Sequence, residues 1–133
     1  MKKLYLAALA AAPLALAGCS GGQVSSAAEH GLKQDLKAVC EVVAFRQTSS
    51  EELDAPGGKA AVVRFEGEVK WLTLEEALSS KGAARDAQDY LQKLAYASSR
   101  FGSARAGASA RVSGAILLAR SDVGWIYKGL AEH

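Results

Sequence analysis

One segment of the chain, from Ala61 to Leu72, most constrains the fold that this sequence can adopt. Its apolar side chains alternate with charged ones: the first set is Val63, Phe65, Val69 and Trp71, and the second is Arg64, Glu66, Glu68 and Lys70. Successive side chains of a β-strand point to opposite faces, so this pattern predicts a strand with one face in a core and the other in water. We therefore expect an antiparallel sheet whose outer face is exposed.

Gly67 falls on the inward face of the same segment. A glycine at such a position marks a β-bulge or lets a helix approach closely. We expect one of these two features beside Gly67.

Three further strands are predicted around this one. Residues 38–47 are rich in β-branched and aromatic side chains, which favours a strand, and the acids and Pro-Gly-Gly of 51–58 then predict a solvated loop. Residues 112–119 form a nearly continuous apolar run, which is typical of a central strand covered on both faces. After a turn at 121–124, residues 125–130 predict the returning strand of a hairpin.

Helices are predicted before and between these strands. Thr73 with Glu76 fits a capping box that begins a short helix. A longer amphipathic helix is predicted from about Ala83 to Phe101, because apolar residues recur there at spacings of three and four and Gly102 supplies a stop. A capping box at Ser26 also predicts a short helix that runs toward residue 37.

Together these elements predict an α+β fold with an antiparallel sheet of about four strands packed against one long helix. The order resembles the cystatin-like or NTF2-like layouts found among small envelope proteins. The resemblance is one of layout, without a shared motif, and it implies a fold class only.

The first twenty residues have a different character. Lys2 and Lys3 precede an apolar run, Leu4 to Leu16, that is too short to span a bilayer as a permanent helix, and the run ends in Leu16-Ala17-Gly18-Cys19. This order resembles the lipobox of bacterial lipoproteins. The resemblance implies that residues 1–18 are a signal peptide and that Cys19 begins the mature chain.

The same resemblance implies that Cys19 carries at least two acyl chains, palmitate among them, which hold the protein on a membrane of the cell envelope. In Gram-negative lipoproteins of the enteric type, a Ser such as Ser20 after the cysteine, in place of Asp, implies release to the outer membrane, facing the periplasm. Residues 19–28 are small and polar and predict a flexible tether. Residues 29–133 then form a single α+β domain.

Charge and cysteine content restrict the functions of the mature chain. Once residues 1–18 are removed, fourteen Lys and Arg balance fourteen Asp and Glu, so overall basicity gives no support for nucleic-acid binding. With Cys19 acylated, Cys40 has no partner for an internal disulfide. Its apolar neighbours favour a buried thiol, and a disulfide between molecules stays open as an alternative.

Motifs for catalysis or metal binding are missing from the sequence. The chain has no nucleophile elbow, no metalloprotease helix motif and no phosphate-binding loop, and its two histidines, His30 and His133, lie far apart in the sequence. Asp86 and Asp89 share a helix face, where their acidic charge complements the helix dipole. We therefore expect no enzyme, no cofactor and no metal.

The distribution of charge suggests a binding surface. Between Tyr90 and Ser121 the chain has five basic residues and no acid, and three of them, Arg100, Arg105 and Arg111, surround the loop after the long helix. Arginine binds carboxylates and phosphates in a bidentate manner, so these three are candidate contacts for an acidic protein, lipid phosphates or peptidoglycan carboxylates. The alternative is that they are solvated and complement the helix dipole.

Two interpretations are open for the aromatic residues Trp71, Trp125 and Tyr127: they pack in the core, or they form an exposed recognition cluster.

The sequence favours a membrane-anchored, non-enzymatic lipoprotein that binds or scaffolds another envelope protein or the cell wall. The alternative is an inhibitor or immunity lipoprotein that neutralises a toxin or lytic enzyme at the membrane. A small-molecule carrier with a pocket between helix and sheet also stays open.

Overall fold

The computed structural model describes the backbone of residues 14–79 and 83–131 and the side chains from residue 22 onward within those ranges. The predicted signal residues 1–13, the side chain of Cys19 and His133 lie outside the described part of the chain. The elements, in chain order, are α1 (Leu14–Leu36), β1 (Cys40–Ala55), β2 (Gly58–Trp71), α2 (Leu74–Leu78), α3 (Ala87–Phe101), β3 (Ser109–Ser121) and β4 (Gly124–Leu130).

The four strands form one antiparallel sheet in the order β1-β2-β3-β4, so each strand pairs with the next one along the chain. The predicted α+β class is confirmed, with two N-terminal strands, a helical segment and a closing hairpin. Trp71 and Phe65 are each only 2% exposed, which confirms that the apolar residues of the alternating segment lie in the core.

Two long helices, and not one, cover the inner face of this sheet. Along α1, Val24, Ala28, Leu32 and Leu36 recur every four residues and are all buried against the strands. α3 packs beside α1, and the Phe101 ring contacts the Phe65 ring edge-on. No helix in the described part of the chain is long and apolar enough to cross a membrane.

The flexible tether predicted for residues 19–28 is wrong where side chains are described. Residues 22–28 are helical, and Val24 and Ala28 continue the buried stripe of α1. The serines between them are only partly buried or exposed, so the segment lacks an obvious apolar periodicity although it packs. The folded domain therefore includes residues N-terminal to the predicted boundary at 29.

Two glycines permit close approach of neighbouring elements. A Cβ at Gly31 would lie 2.3 Å from two ring atoms of Tyr127, so only a glycine lets α1 lie this close to β4. A Cβ at Gly67 would lie 2.5 Å from the carbonyl oxygen of Ala44, where β1 has a bulge. The bulge expected beside Gly67 is confirmed.

A hydrogen-bonded cluster joins α1, α3 and β4. The Asp35 carboxylate accepts the Tyr127 hydroxyl at 2.7 Å and the Tyr96 hydroxyl at 3.1 Å. Burial, together with the Asp35 charge, raises the pKa of both tyrosines above its ordinary value. The phenols therefore remain neutral donors, and the helical layer is attached to the sheet by directional bonds as well as by apolar packing.

Three other predictions are refined. β1 continues to Ala55, so the loop predicted over 51–58 shrinks to a tight turn at Pro56-Gly57. α3 begins at Ala87 because the Asp86 side chain caps it, and Gly102, at φ +92°, ends it as predicted. The capping box of Thr73 and Glu76 is confirmed at the start of α2.

The prediction that residues 112–119 are covered on both faces is also wrong. Val112, Ile116 and Leu118 are buried, but Leu117 between them is 40% exposed. The run belongs to a sheet that has its described helices on one side only, so its outward residues face solvent although they are apolar.

Candidate interaction surface

The face of the sheet opposite the helices, which we call the outer face, is not covered by any described helix. On β2, Ala61 and Val63 are fully buried, so Val62 between them points outward. Cross-strand partners lie on the same face of a sheet, and the strand register therefore identifies the remaining outer residues.

An apolar patch occupies one end of the outer face. A row of direct partners crosses all four strands from Leu53 through Ala60 and Ala119 to Ile126. In the next row Val62 pairs with Leu117. Leu53, Leu117 and Ile126 are 41%, 40% and 44% exposed. We call these six residues the apolar patch.

Charged side chains occupy the other part of the outer face. Arg46 pairs with Glu66 across β1 and β2 and forms an ion pair with it, and Glu68 pairs in register with Arg111 across β2 and β3. These four residues, which we call the charged rows, line a shallow groove over the bulge beside Gly67. Both signs of charge alternate there, so this part of the face suits a polar partner surface rather than a simple anion.

The three arginines predicted as a partner-binding site are not brought together. Arg100 lies in the helical layer, with its guanidinium 5.0 Å from the centre of the Tyr96 ring and a hydrogen bond to Ser99 at 3.0 Å. Arg105 is exposed in the loop between α3 and β3. Arg111 projects from the outer face. The sheet separates Arg100 from Arg111, so a single partner surface includes Arg111 and not Arg100.

The loop that holds Arg105 is attached to the end of the sheet. The Gly107 N–H donates to the Trp71 carbonyl at 2.8 Å, and the Trp71 N–H donates to the Ala108 carbonyl at 2.9 Å. These bonds extend the β2–β3 ladder into the loop. The backbone beside Arg105 is therefore held in place and is not a free arm.

The aromatic residues do not form one exposed cluster. Trp71 is buried at the end of the sheet next to α2, whereas Trp125 lies at the opposite end, beneath the Arg120 guanidinium at 5.4 Å. Tyr127 is engaged with Asp35. Trp71 is buried in the core, and Tyr127 and Trp125 are partly buried and pack against it.

The titratable groups that could carry chemistry have structural roles. Burial raises the pKa of the Cys40 thiol to about 12, so it is neutral and enclosed at neutral pH. Asp86 caps α3 by accepting the Asp89 N–H at 2.8 Å. The Asp89 carboxylate accepts the Arg85 N–H at 2.9 Å, and this bond, with Lys93 nearby, lowers its pKa.

Metal-binding geometry is not found among the described residues: no three His, Cys, Asp or Glu side chains gather there around one point. His30 is exposed on α1, whereas Cys40 is buried.

Comparison with models of known protein families, with curated proteins and with solved structures found no match to this chain.

Proposed function

We propose that this protein is a membrane-anchored, non-enzymatic lipoprotein of the bacterial cell envelope that binds another envelope protein through the outer face of its sheet. The observation that carries the proposal is the apolar patch, in which three large aliphatic side chains stand about two-fifths exposed on neighbouring rows. Isolated apolar residues are common on surfaces, but a contiguous group next to charged side chains is typical of a protein interface.

The shape of the surface favours a protein partner over a small ligand. Small molecules bind in cavities that enclose most of their surface, whereas the outer face is an open sheet with a shallow groove. A partner protein can cover both the apolar patch and the charged rows at once. Contact with the apolar patch buries apolar surface. Contact with the charged rows, which carry both signs of charge, fixes how the two proteins are aligned and gives specificity.

The apolar patch can supply a useful part of the binding energy. Full burial of a Leu or Ile side chain is worth about 1.5–3 kcal/mol, and Leu53, Leu117 and Ile126 each still expose about two-fifths of their surface. Covering that remainder contributes roughly 1 kcal/mol per residue, or about 3 kcal/mol together. This is about a hundredfold in affinity.

The anchoring part of the proposal is supported by the lipobox-like sequence that ends at Cys19. An acylated Cys19 would hold the domain at the membrane, and Ser20 directs the proposal toward the outer membrane, facing the periplasm. Replacement of Cys19 by Ser tests this part alone: the variant is expected in the soluble fraction, and a variant that stays fully membrane-bound would contradict the lipid anchor.

The binding part is tested with two matched lysine variants. Leu117→Lys places a charge in the apolar patch, whereas Leu91→Lys places one on α3, where Leu91 is 60% exposed in the helical layer. The acylated proteins are extracted from native membranes in mild detergent, captured, and the associated proteins identified by mass spectrometry. Both variants should melt within a few degrees of the unmodified protein, because neither replaced side chain is buried.

We expect one envelope protein to be captured with the unmodified chain and with Leu91→Lys, and at least tenfold less of it with Leu117→Lys. Equal recovery with both variants would contradict a binding role for the outer face. If the captured protein is a toxin or a lytic enzyme, the inhibitor function expected as an alternative from the sequence applies to the same surface.

A further inference from the structure

The proposed lipid-anchor position is three residues from a part of α1 that borders one hairpin of the sheet. The N-terminal part of α1 and the turn between β3 and β4 border one open groove, which is lined by Gly22, Gln23 and Ser26 on the helix and by Val123, Gly124 and Trp125 on the hairpin. Cys19 precedes Gly22 by three residues. Even a fully extended chain spans only about 10 Å over that distance, so an acyl group on Cys19 would lie beside this hairpin.

The turn between β3 and β4 exposes an apolar side chain at its tip. Val123, at its tip, is 92% exposed, which is the largest exposure among the large apolar residues of the described chain. Trp125, two residues later, packs against the core with its indole nitrogen buried and so does not share this exposure. An exposed aliphatic tip can enter the headgroup region of a bilayer while the rest of the hairpin stays folded.

The charges of the two hairpins also favour contact between the β3–β4 turn and the membrane. Arg120 and Lys128 outnumber Asp122 on the β3–β4 hairpin, whereas the β1–β2 hairpin at the same end of the sheet carries acids around its turn, Glu51, Glu52 and Asp54 against Lys59. A surface with anionic lipids attracts the first hairpin and repels the second. The molecule would therefore stand with the β4 edge of the sheet tilted toward the bilayer.

We propose that the β3–β4 turn, through Val123, rests on the lipid bilayer and fixes the orientation of the domain on the membrane. The inference rests on the proposed lipid anchor at Cys19. It depends on the helical state of residues 22–28, because a flexible tether would leave the domain free to rotate, whereas α1 is packed on the sheet from Val24 onward. The apolar patch then lies at the membrane-proximal end of the outer face, since its rows are those nearest to the two turns.

The test uses the acylated full-length mature protein in vesicles of phosphatidylethanolamine and phosphatidylglycerol. An environment-sensitive thiol dye is attached to Val123→Cys, to Asp122→Cys, which keeps Val123, and to the control Leu91→Cys on α3. Cys40 is buried, so the unmodified protein serves as the labelling blank. Emission wavelength and quenching by lipids with nitroxide groups are then measured on vesicles recovered by flotation.

We expect blue-shifted emission and at least threefold stronger nitroxide quenching at positions 122 and 123 than at position 91. Equal, water-like emission at all three positions on vesicle-bound protein would overturn the orientation and leave the lipid anchor intact. Mass spectrometry that finds no acyl group on Cys19 would instead overturn the anchor, and with it the premise of this inference.

Discussion

Replacement of Gly31 by Ala tests how α1 is packed on the sheet. The new Cβ would lie 2.3 Å from Cγ and Cδ1 of Tyr127 and 2.4 Å from its Cβ, whereas ordinary carbon contacts are about 3.5–4 Å. The ring cannot simply turn away, because its hydroxyl donates to Asp35 on the same helix at 2.7 Å. The helix and β4 must therefore separate by about 1 Å or more.

The expected cost follows from opposing contributions. Overpacking of this kind costs about 1–3 kcal/mol, and the severe contacts with three atoms place Gly31→Ala at the upper end. A weakened hydrogen bond to Asp35 adds about 1 kcal/mol. The higher helix propensity of alanine offsets up to about 1 kcal/mol of this destabilisation. The net destabilisation is about 2–3 kcal/mol.

The measurement is urea unfolding followed by far-ultraviolet circular dichroism in the Cys19→Ser background, which needs no detergent. With a slope of about 1.5 kcal/mol per molar urea, the midpoint for Gly31→Ala should fall by between about 1.3 and 2 M. Gly22→Ala in the same helix is the matched control, since no atom lies within 4 Å of its Cβ. Its midpoint should stay the same or rise.

A midpoint for Gly31→Ala equal to that of Gly22→Ala would refute the close packing of α1 on β4. The cause is isolated by repeating the substitution in a Tyr127→Ala background. Without the ring, Gly31→Ala should be neutral or stabilising, which corresponds to a coupling energy above about 1 kcal/mol. A cost that persists in that background would show that Tyr127 is not the obstacle.

Two further predictions concern Cys40 and Asp35. In the Cys19→Ser background, Cys40 should react with a thiol reagent at least a hundredfold more slowly in the folded protein than in urea, because it is buried; equal rates would contradict its burial. The unfolded thiol releases its proton near pH 9 and the folded one near pH 12, so the free energy of unfolding should fall as pH rises above about 9. The fall should be steeper than in Cys40→Ala by up to about 1.4 kcal/mol per pH unit. Curves of the free energy of unfolding against pH that stay parallel for the two proteins between pH 8 and pH 11 would count against the raised pKa. Asp35→Asn weakens two phenol hydrogen bonds and should lower the free energy of unfolding by about 1–3 kcal/mol in urea titrations, whereas Asp122→Asn, in an exposed turn, should leave it unchanged.

Local patterns in the sequence were sufficient to predict the strands of the sheet and the order of the elements along the chain. The alternation in β2, the capping box at Thr73 and the stop at Gly102 all depend on neighbours a few residues apart, and the structure contains each of them. Such features are decided by side-chain periodicity and backbone hydrogen bonding, which a single sequence displays directly.

The sequence predicted a short helix from Ser26, but the part of α1 before Ser26 could not be predicted because its stability comes from tertiary packing. Glycine and serine have low helix propensity, and the segment before residue 29 is rich in both. The burial of Val24 and Ala28 against the sheet offsets that weakness. A stripe made of only two small apolar residues in that segment gives too weak a periodic signal to detect.

The candidate surface needed the strand register. Leu53 and Leu117 are far apart in the sequence. They lie on the same face of the sheet, on either side of β2, because of the register in which β1 and β3 pair with β2. Arg100 and Arg111 are close in the sequence, yet they lie on opposite sides of the sheet, since one ends a helix and the other begins a strand. The sequence does contain one indication of the patch, which is the uninterrupted apolar run around Leu117. In a sheet that is covered on one side, such a run must expose every second residue.

The most direct test of the proposed binding role is site-specific photocrosslinking in living cells. A photoreactive phenylalanine analogue is placed at Leu117 in the apolar patch and, as the matched control, at Leu91 on α3. The proposal predicts a discrete crosslinked envelope protein from position 117, absent from position 91 and lost when Val62→Lys is introduced. Crosslinks of equal intensity from both positions, or none from position 117 in cells that retain the acylated protein, would contradict it.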